Sequence, residues 1–221
     1  MRALVVLNGD PLGSDGWLAD LAARSDVVIA ADGGAARLHQ AGRRPDLVVG
    51  DLDSLPPDAK ARLEAHGVAF EVHPHEKTQT DGELALRAAI SRGADEIVIV
   101  GAFGGARIDH LVGNLLLLAN EDLAAIDVAI VTEQATFRAL RGPGVLELEG
   151  EPGDWVTLSP LSERAGAVTT DGLRYGLHRE DLVRGSTRGV SNELTGRRAS
   201  VELATGLLLA TVTTRRSVAS P

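Results

Sequence analysis

Cysteine is absent from the chain and lysine nearly so. Without a thiol there is no disulfide, no cysteine-based zinc site and no cysteine nucleophile, which fits a reducing, cytoplasmic setting. The two lysines are Lys60 and Lys77. Neither follows a glycine, so there is no Walker-type Gly-Lys loop, and G-x-G-x-x-G is missing too. Aromatic residues make up 3% of the 221, with Tyr175 the single tyrosine. Basic residues are outnumbered, 22 against 31 acids, for a net charge of −9. That balance argues against nucleic acid or an anionic membrane as a partner, because both need Lys and Arg to neutralise phosphate. An acidic chain still takes a polyphosphate when a cation bridges the two, and it suits a cationic small substrate. Apolar runs are short. None approaches the ~18 residues of a membrane span, and the longest candidate, residues 115–119, reads as a fragment of a buried helix. The apolar run at the start is too short for a signal peptide, and an acid, Asp10, comes soon after it. A soluble protein is expected.

What remains is ordinary globular composition, 44% hydrophobic and 24% charged. Through about residue 142 two periods alternate. Short β-branched runs at residues 4–7, 26–30, 47–49, 97–100 and 126–131 are apolar on consecutive positions, as in strands covered on both faces. Helical stretches lie between them. Trp17, Leu18 and Leu21 share a face, Leu63 follows Pro56-Pro57, and Thr80 with Glu83 forms a capping box ahead of a helix reaching Arg92. This alternation predicts a mostly parallel sheet with helices on both faces, whose ligands bind at the carboxyl ends of its strands. After about residue 142 the texture changes. Turns at Gly142-Pro143-Gly144 and Glu151-Pro152-Gly153 separate alternating segments, and residues 199–203 and 207–212 flank Thr205-Gly206 like a hairpin. No helix is expected there beyond a turn near Glu180. The expected organisation is therefore an α/β domain at residues 1–142, a small antiparallel β domain at 143–214 and a frayed tail at 215–221.

Two glycine-rich turns follow strands. Asp32-Gly33-Gly34 and Gly101-Ala102-Phe103-Gly104-Gly105-Ala106-Arg107 each open a helix, where free N–H groups and bare backbone suit phosphate. The bland alternative is a tight βα turn. In Gly50-Asp51-Leu52-Asp53-Ser54, an extended chain would point Asp51 and Asp53 the same way, about 6–7 Å apart, ready to share a hard cation; an Asx turn is the alternative. Asp81 and Asp109, at helix starts, are each explicable as dipole or cap residues. Yet Asp32, Asp51, Asp53, Asp81 and Asp109 all fall on one edge of a parallel sheet. Together with the glycine turns and the forked donor Arg107, they suit magnesium and a polyphosphate better than coincident caps do. Lys77, four residues before Asp81, either touches phosphate or is a surface residue. The histidines show no metal-ligand spacing, His110 serves at most to orient its loop, and no general base is assigned.

In order and spacing, these residues resemble the thiamine pyrophosphokinase family along nearly the whole chain. The match runs through Ala31-Asp32-Gly33-Gly34-Ala35, Gly50-Asp51-Leu52-Asp53-Ser54, Lys77 with Thr80-Asp81, and Gly104-Gly105 with Arg107-Ile108-Asp109-His110. It continues in 169–175 and in Gly189-Val190-Ser191-Asn192-Glu193. The resemblance implies a Rossmann-like N-terminal domain that binds ATP, and a C-terminal β-sandwich that helps bind thiamine. It also implies a homodimer with the active site between one subunit's α/β domain and the other's sandwich. Carried over, Asp51, Asp53 and Asp81 match the Mg²⁺ carboxylates. Asp32, Gly33, Gly34, Gly104, Gly105, Lys77, Arg107 and Asp109 match the nucleotide and phosphate site. Tyr175, Ser191 and Asn192 match the thiamine side, where Tyr175 would offer a cation–π face. The implied reaction moves pyrophosphate from ATP to the thiamine hydroxyl, with Asp81 or Asp109 as proton acceptor. Two positions depart from the family pattern: Thr78 stands where an acid is usual after the lysine, and Ala106 is one residue extra. Two other readings remain at this stage: a related pyrophosphokinase for a pterin-like alcohol, and a non-catalytic binding module, which loss of the metal acids would signal.

Overall fold

The structure is a computed structural model describing residues 1–53, 55, 57–105 and 107–215. Ser54, Pro56, Ala106 and the tail beyond Arg215, all named above, lie outside the described residues. Contacts divide the chain into two units, Met1–Glu133 and Gln134–Pro221.

The first unit is a parallel sheet built from β1 (Arg2–Val6), β2 (Val27–Ala31), β3 (Leu47–Gly50), β4 (Ala69–Val72), β5 (Glu96–Val100) and β6 (Asp127–Val131). Their order across the sheet is β6-β5-β1-β2-β3-β4. The order reverses at β1, which pairs with both β2 and β5 in parallel register. Helices α1 (Asp15–Ala23), α2 (Gly34–Gln40), α3 (Pro57–Ala65), α4 (Asp81–Ser91) and α5 (Ile108–Leu117) connect the strands. The consecutive apolar runs are strands covered on both faces: Leu4, Val5, Ile29, Val48, Val49, Ile97 and Ile99 are fully buried. β4, absent from the expected strands, is a half-exposed edge strand with little apolar signal in its sequence.

Two helix expectations meet different outcomes. Thr80 caps α4 by accepting from the Glu83 N–H at 3.2 Å, while the Glu83 carboxylate pairs with Arg87 one turn on. The stretch at 115–119 is not part of a buried helix: α5 has no buried residue within its bounds. Ile108, Val112 and Leu116, four residues apart on one stripe, are 80%, 55% and 53% exposed.

The second unit is a sandwich of two antiparallel sheets. One holds β7 (Ala135–Arg141), β9 (Trp155–Pro160), β12 (Asn192–Glu193) and β14 (Leu207–Thr213), in the order β12-β9-β14-β7. The other holds β8 (Gly144–Glu149), β10 (Arg164–Asp171), β11 (Glu180–Val183) and β13 (Arg198–Leu203), ordered β11-β10-β13-β8. Leu148, Val156, Leu158, Val168, Leu177, Val201, Leu203 and Leu208 fill the space between them. β7 pairs with β14 along its whole length, and by contacts the second unit starts at Gln134, where the expectation was a boundary near residue 142. Two expectations are corrected by the strand pairing. The segments around Thr205-Gly206 do not form a hairpin, because β13 pairs with β8 and β10 while β14 pairs with β7 and β9. The turn instead carries the chain from one sheet to the other, since each alternating strand needs its own apolar face on the shared core. The residues near Glu180 form strand β11 rather than a lone turn.

Gly34 shows how the first unit depends on close approach. A Cβ there would lie 2.0 Å from the carbonyl oxygen of Val6 on β1. Gly34→Ala should therefore lose about 1–3 kcal/mol of stability, read as a lower urea midpoint with an unchanged denaturant slope.

Candidate active site

The acids gather at the carboxyl ends of β1, β2, β3 and β5, beside the point where strand order reverses. A cavity of about 470 Å³ opens there, lined among others by Asp32, Asp51, Asp53, Asp81, Gly104, Gly105 and Arg107. Each acid is placed by a different local device. Asp32 leaves β2 with φ +45, a conformation that aspartate tolerates better than most residues. Its N–H donates to the Val49 carbonyl at 2.9 Å, and the residue is 6% exposed. Gly50 ends β3 at φ +148. A Cβ on it would lie 3.1 Å from Asp81 Oδ1 and 3.2 Å from Asp32 Cβ, so its bare backbone lets those acids converge.

Asp51 and Asp53 both line the cavity, but not through strand alternation. Leu52 between them has φ +63, and the Asp53 N–H donates to Asp51 Oδ1 at 3.3 Å. The Asx-type turn and the paired carboxylates are thus the same feature. Asp81 follows the Thr80 cap in the first turn of α4.

One carboxylate oxygen from each of Asp32, Asp51 and Asp81 falls within 4.8 Å of the others. Ligand atoms of Asp51, Asp53 and His75 meet the same limit. His75 carried no spacing signal; only the loop after β4 brings it beside Asp53, at 3.9 Å. The all-oxygen set of Asp32, Asp51 and Asp81 at this separation fits a hard divalent cation. The fit has a direct witness in the Lys77 ammonium, which lies 3.2 Å from Asp51 Oδ2 and 2.9 Å from Asp81 Oδ1. Burial by itself would push the Asp51 carboxyl up, but the Asp53 N–H and the hydrogen bond and charge of Lys77 outweigh it and hold it below the usual carboxylate range. Burial likewise pulls Lys77 down, and its bonds to Asp81 and Asp51 raise it above its ordinary value.

Arg107 lines the cavity and Asp109 does not; Arg107 grips Asp109 in a fork, Nε to Oδ1 at 2.9 Å and Nη2 to Oδ2 at 2.6 Å. That bond holds the Asp109 carboxyl down at about 2, which makes Asp109 a weak proton acceptor while the fork lasts.

Gly33 and Gly34 are not among the residues lining the cavity. A Cβ on Gly33 would meet the Asn8 side chain and one on Gly34 the Val6 carbonyl, so the close approach at these positions requires glycine. Asn8 and Gly9, after β1, do line the cavity, as do Thr80, His110 and Asn114. The polar Asn8-Gly9-Asp10 turn after an apolar run was the available signal for the first two. Asn114 steadies the glycine loop by donating to the Ala102 carbonyl at 2.9 Å.

The expected thiamine-side residues lie together in the second unit. Tyr175 is 52% exposed, with the Arg174 guanidinium 5.5 Å from its ring centre and bonded to Glu193 at 3.0 Å. Asn192 is buried, and its amide clamps the Tyr175 backbone: Oδ1 accepts from Tyr175 N–H at 2.9 Å, and Nδ2 donates to Tyr175 O at 2.7 Å. Ser191, at φ +61, donates its N–H to Thr157 Oγ1 at 3.4 Å.

Comparison with known proteins agrees across both units. The family model described as "Thiamin pyrophosphokinase, catalytic domain" matches residues 18–130, and "Thiamin pyrophosphokinase, vitamin B1 binding domain" matches 145–208. A thiamine pyrophosphokinase of Bacillus subtilis is 31% identical over 95% of this chain and 97% of its own length. One from Oryza sativa, thiamine pyrophosphokinase 1, is 26% identical over 76% of this chain and 72% of its own length. Among solved structures, thiamin pyrophosphokinase from Geobacillus thermodenitrificans superposes with a TM-score of 0.83 at 30% identity, covering 98% of this chain and 99% of that one.

Proposed function

The chain belongs to the thiamine pyrophosphokinase family, and from that premise we propose how its own residues carry the transfer of pyrophosphate from ATP to the thiamine hydroxyl. The observation that carries the reading is the convergence of Asp32, Asp51 and Asp81 at one cavity with a cation already seated between two of them. Asp51, Asp53 and Asp81 would hold Mg²⁺, which would supply charge neutralisation for the polyphosphate. Arg107 turns from Asp109 to the phosphate oxygens, offering the same fork. Gly104 and Gly105, at φ +73 and +79, bring bare backbone to the nucleotide. Asp32 borders the nucleotide side of the cavity, and Lys77 contacts phosphate. Transfer of this kind needs positioning and charge neutralisation more than a covalent nucleophile. The hydroxyl proton passes to Asp81 or Asp109, and Asp109 competes only once Arg107 has released it.

On the thiamine side, Tyr175 presents its ring to the cationic thiazolium, an interaction worth about 0.5–2 kcal/mol. Ser191 borders the same loop. Asn192 acts by fixing Tyr175, since its amide is committed to that residue's backbone. The reaction is tested by incubating the protein with thiamine, ATP and Mg²⁺ and following thiamine diphosphate and AMP by mass spectrometry. Equal amounts of both are expected; AMP without thiamine diphosphate would sink thiamine as the acceptor.

The working form is a homodimer in the cytoplasm, with one subunit's α/β unit completing its site from the partner's sandwich. The apolar stripe of Ile108, Val112 and Leu116 on α5 supports this, because an exposed row of that kind is a surface that seeks cover. Leu116→Glu combined with Val112→Glu should leave a monomer by light scattering, with activity lost alongside. An unchanged mass would place the dimer contact elsewhere.

A further inference from the structure

Lysine is among the residues least often buried, yet the Lys77 side chain is only 11% exposed. Its chain loops from β4 into the start of α4, and the ammonium reaches inward to sit between acids from two different elements. Asp51 comes from the end of β3 and Asp81 from the first turn of α4. Both contacts are short, 3.2 and 2.9 Å, and the buried Asp32 offers a third carboxylate oxygen within 4.8 Å of those two. Carboxylates this close repel one another unless a cation lies among them.

The position Lys77 fills is also the one a divalent ion would need. Mg²⁺ binds carboxylate oxygen at about 2.0–2.1 Å. An ion at that distance from Asp51 and Asp81 would fall against an ammonium already paired with the same two carboxylates. Like charges that close cannot share the seat. Polyphosphate supplies what the displaced lysine then lacks, a new set of anionic oxygens.

We propose that Lys77 is a tethered stand-in cation: it holds Asp51 and Asp81 together in the free protein, blocks metal binding in the absence of nucleotide, and yields its place only when phosphate arrives to receive it. This rests on the metal-site reading above and adds a consequence to it. Metal and nucleotide bind with positive coupling, and by linkage each tightens the other equally. The free protein therefore stays unloaded with metal, and the site assembles with the metal–nucleotide pair.

The test uses Mn²⁺, whose free concentration is counted by electron paramagnetic resonance. It is titrated into the whole protein with and without α,β-methylene-ATP, and the nucleotide alone serves as baseline. For the wild type, weak binding of Mn²⁺ alone is expected, tightening at least about tenfold with the nucleotide analogue, a coupling of about 1.4 kcal/mol. Lys77→Met should bind Mn²⁺ alone at least about tenfold more tightly than the wild type and show little further tightening. Its melting temperature without metal should fall, and Mn²⁺ should restore it. Lys77→Gln, which keeps a polar head of neutral charge, should behave in the same direction if the methionine variant folds poorly. A merely structural lysine would lower metal affinity when removed, so equal or weaker Mn²⁺ binding in both variants overturns the proposal. Asp51→Asn separates the two layers. If it loses Mn²⁺ while the Lys77 variants gain none, the stand-in role alone fails. If it binds Mn²⁺ as well as the wild type, the metal-site reading fails with it.

Discussion

Asp51→Asn lowers thiamine diphosphate formation by about a thousandfold, the equivalent of the several kcal/mol that a bound metal contributes to transition-state charge stabilisation. The substitution keeps the shape of the side chain and removes its charge. Three features make Asp51 the most exposed point of the design. Among the described residues it is the carboxylate shared by both candidate metal groups, with Asp32 and Asp81 on one side and with Asp53 and His75 on the other. It accepts the Asp53 N–H and so shapes the turn that brings Asp53 to the cavity. It is also one of the two partners of Lys77. Folding should survive, because Asn can still accept from the Asp53 N–H and Lys77 retains Asp81. The measurement is kcat/KM for the nucleotide across a magnesium titration, with circular dichroism to confirm the fold. Activity within tenfold of the wild type would remove Asp51 from the metal site.

Arg107→Ala costs about a hundredfold to a thousandfold in kcat, the range seen when a preorganised donor to developing charge is deleted. Arg107→Lys recovers less than a tenth of the lost activity, because an ammonium is a point charge and cannot reproduce the fork. The same variant has a second readout. With the guanidinium gone, Asp109 loses the bond that holds its carboxyl at about 2, and it returns toward the ordinary value of about 3.9. The sign follows from linkage. A carboxyl depressed in the folded state contributes stability above about pH 4 that disappears as pH falls through about 2, so the wild type alone loses this contribution across that window. Carbon NMR of the Asp109 carboxyl through an acid titration checks it. A midpoint that stays near 2 in Arg107→Ala would mean that the fork is not what depresses it.

Sequence and structure divide the explanation along a physical line. Periodicity is local, so the buried strands of the first unit and the capped helix after Thr80 were legible before any coordinates. Charge and chemistry were legible as well: acids and an arginine placed after strands in a βα pattern are expected on one edge of a parallel sheet, and Asp32, Asp51, Asp53, Asp81 and Arg107 line one cavity there. What the chain could not declare is everything that depends on partners distant in sequence. Alternation marked residues 199–203 and 207–212 as strands, but nothing local says which sheet each joins, and they part to opposite sides of the sandwich core. The apolar content of α5 reads as core, whereas its stripe stands exposed in the single chain. Gly33 and Gly34 read as a phosphate turn, and their close approach to Asn8 and Val6 is a further demand for glycine that the sequence did not declare. That Lys77 would sit between Asp51 and Asp81, and His75 beside Asp53, had no local signal, because both placements arise only when the loop after β4 folds back toward the end of β3. The sequence by itself determined the class of fold and the kind of chemistry, since both follow from residue types at short range. Only the tertiary structure decided which cation stands among the acids, because that depends on where three separate loops meet.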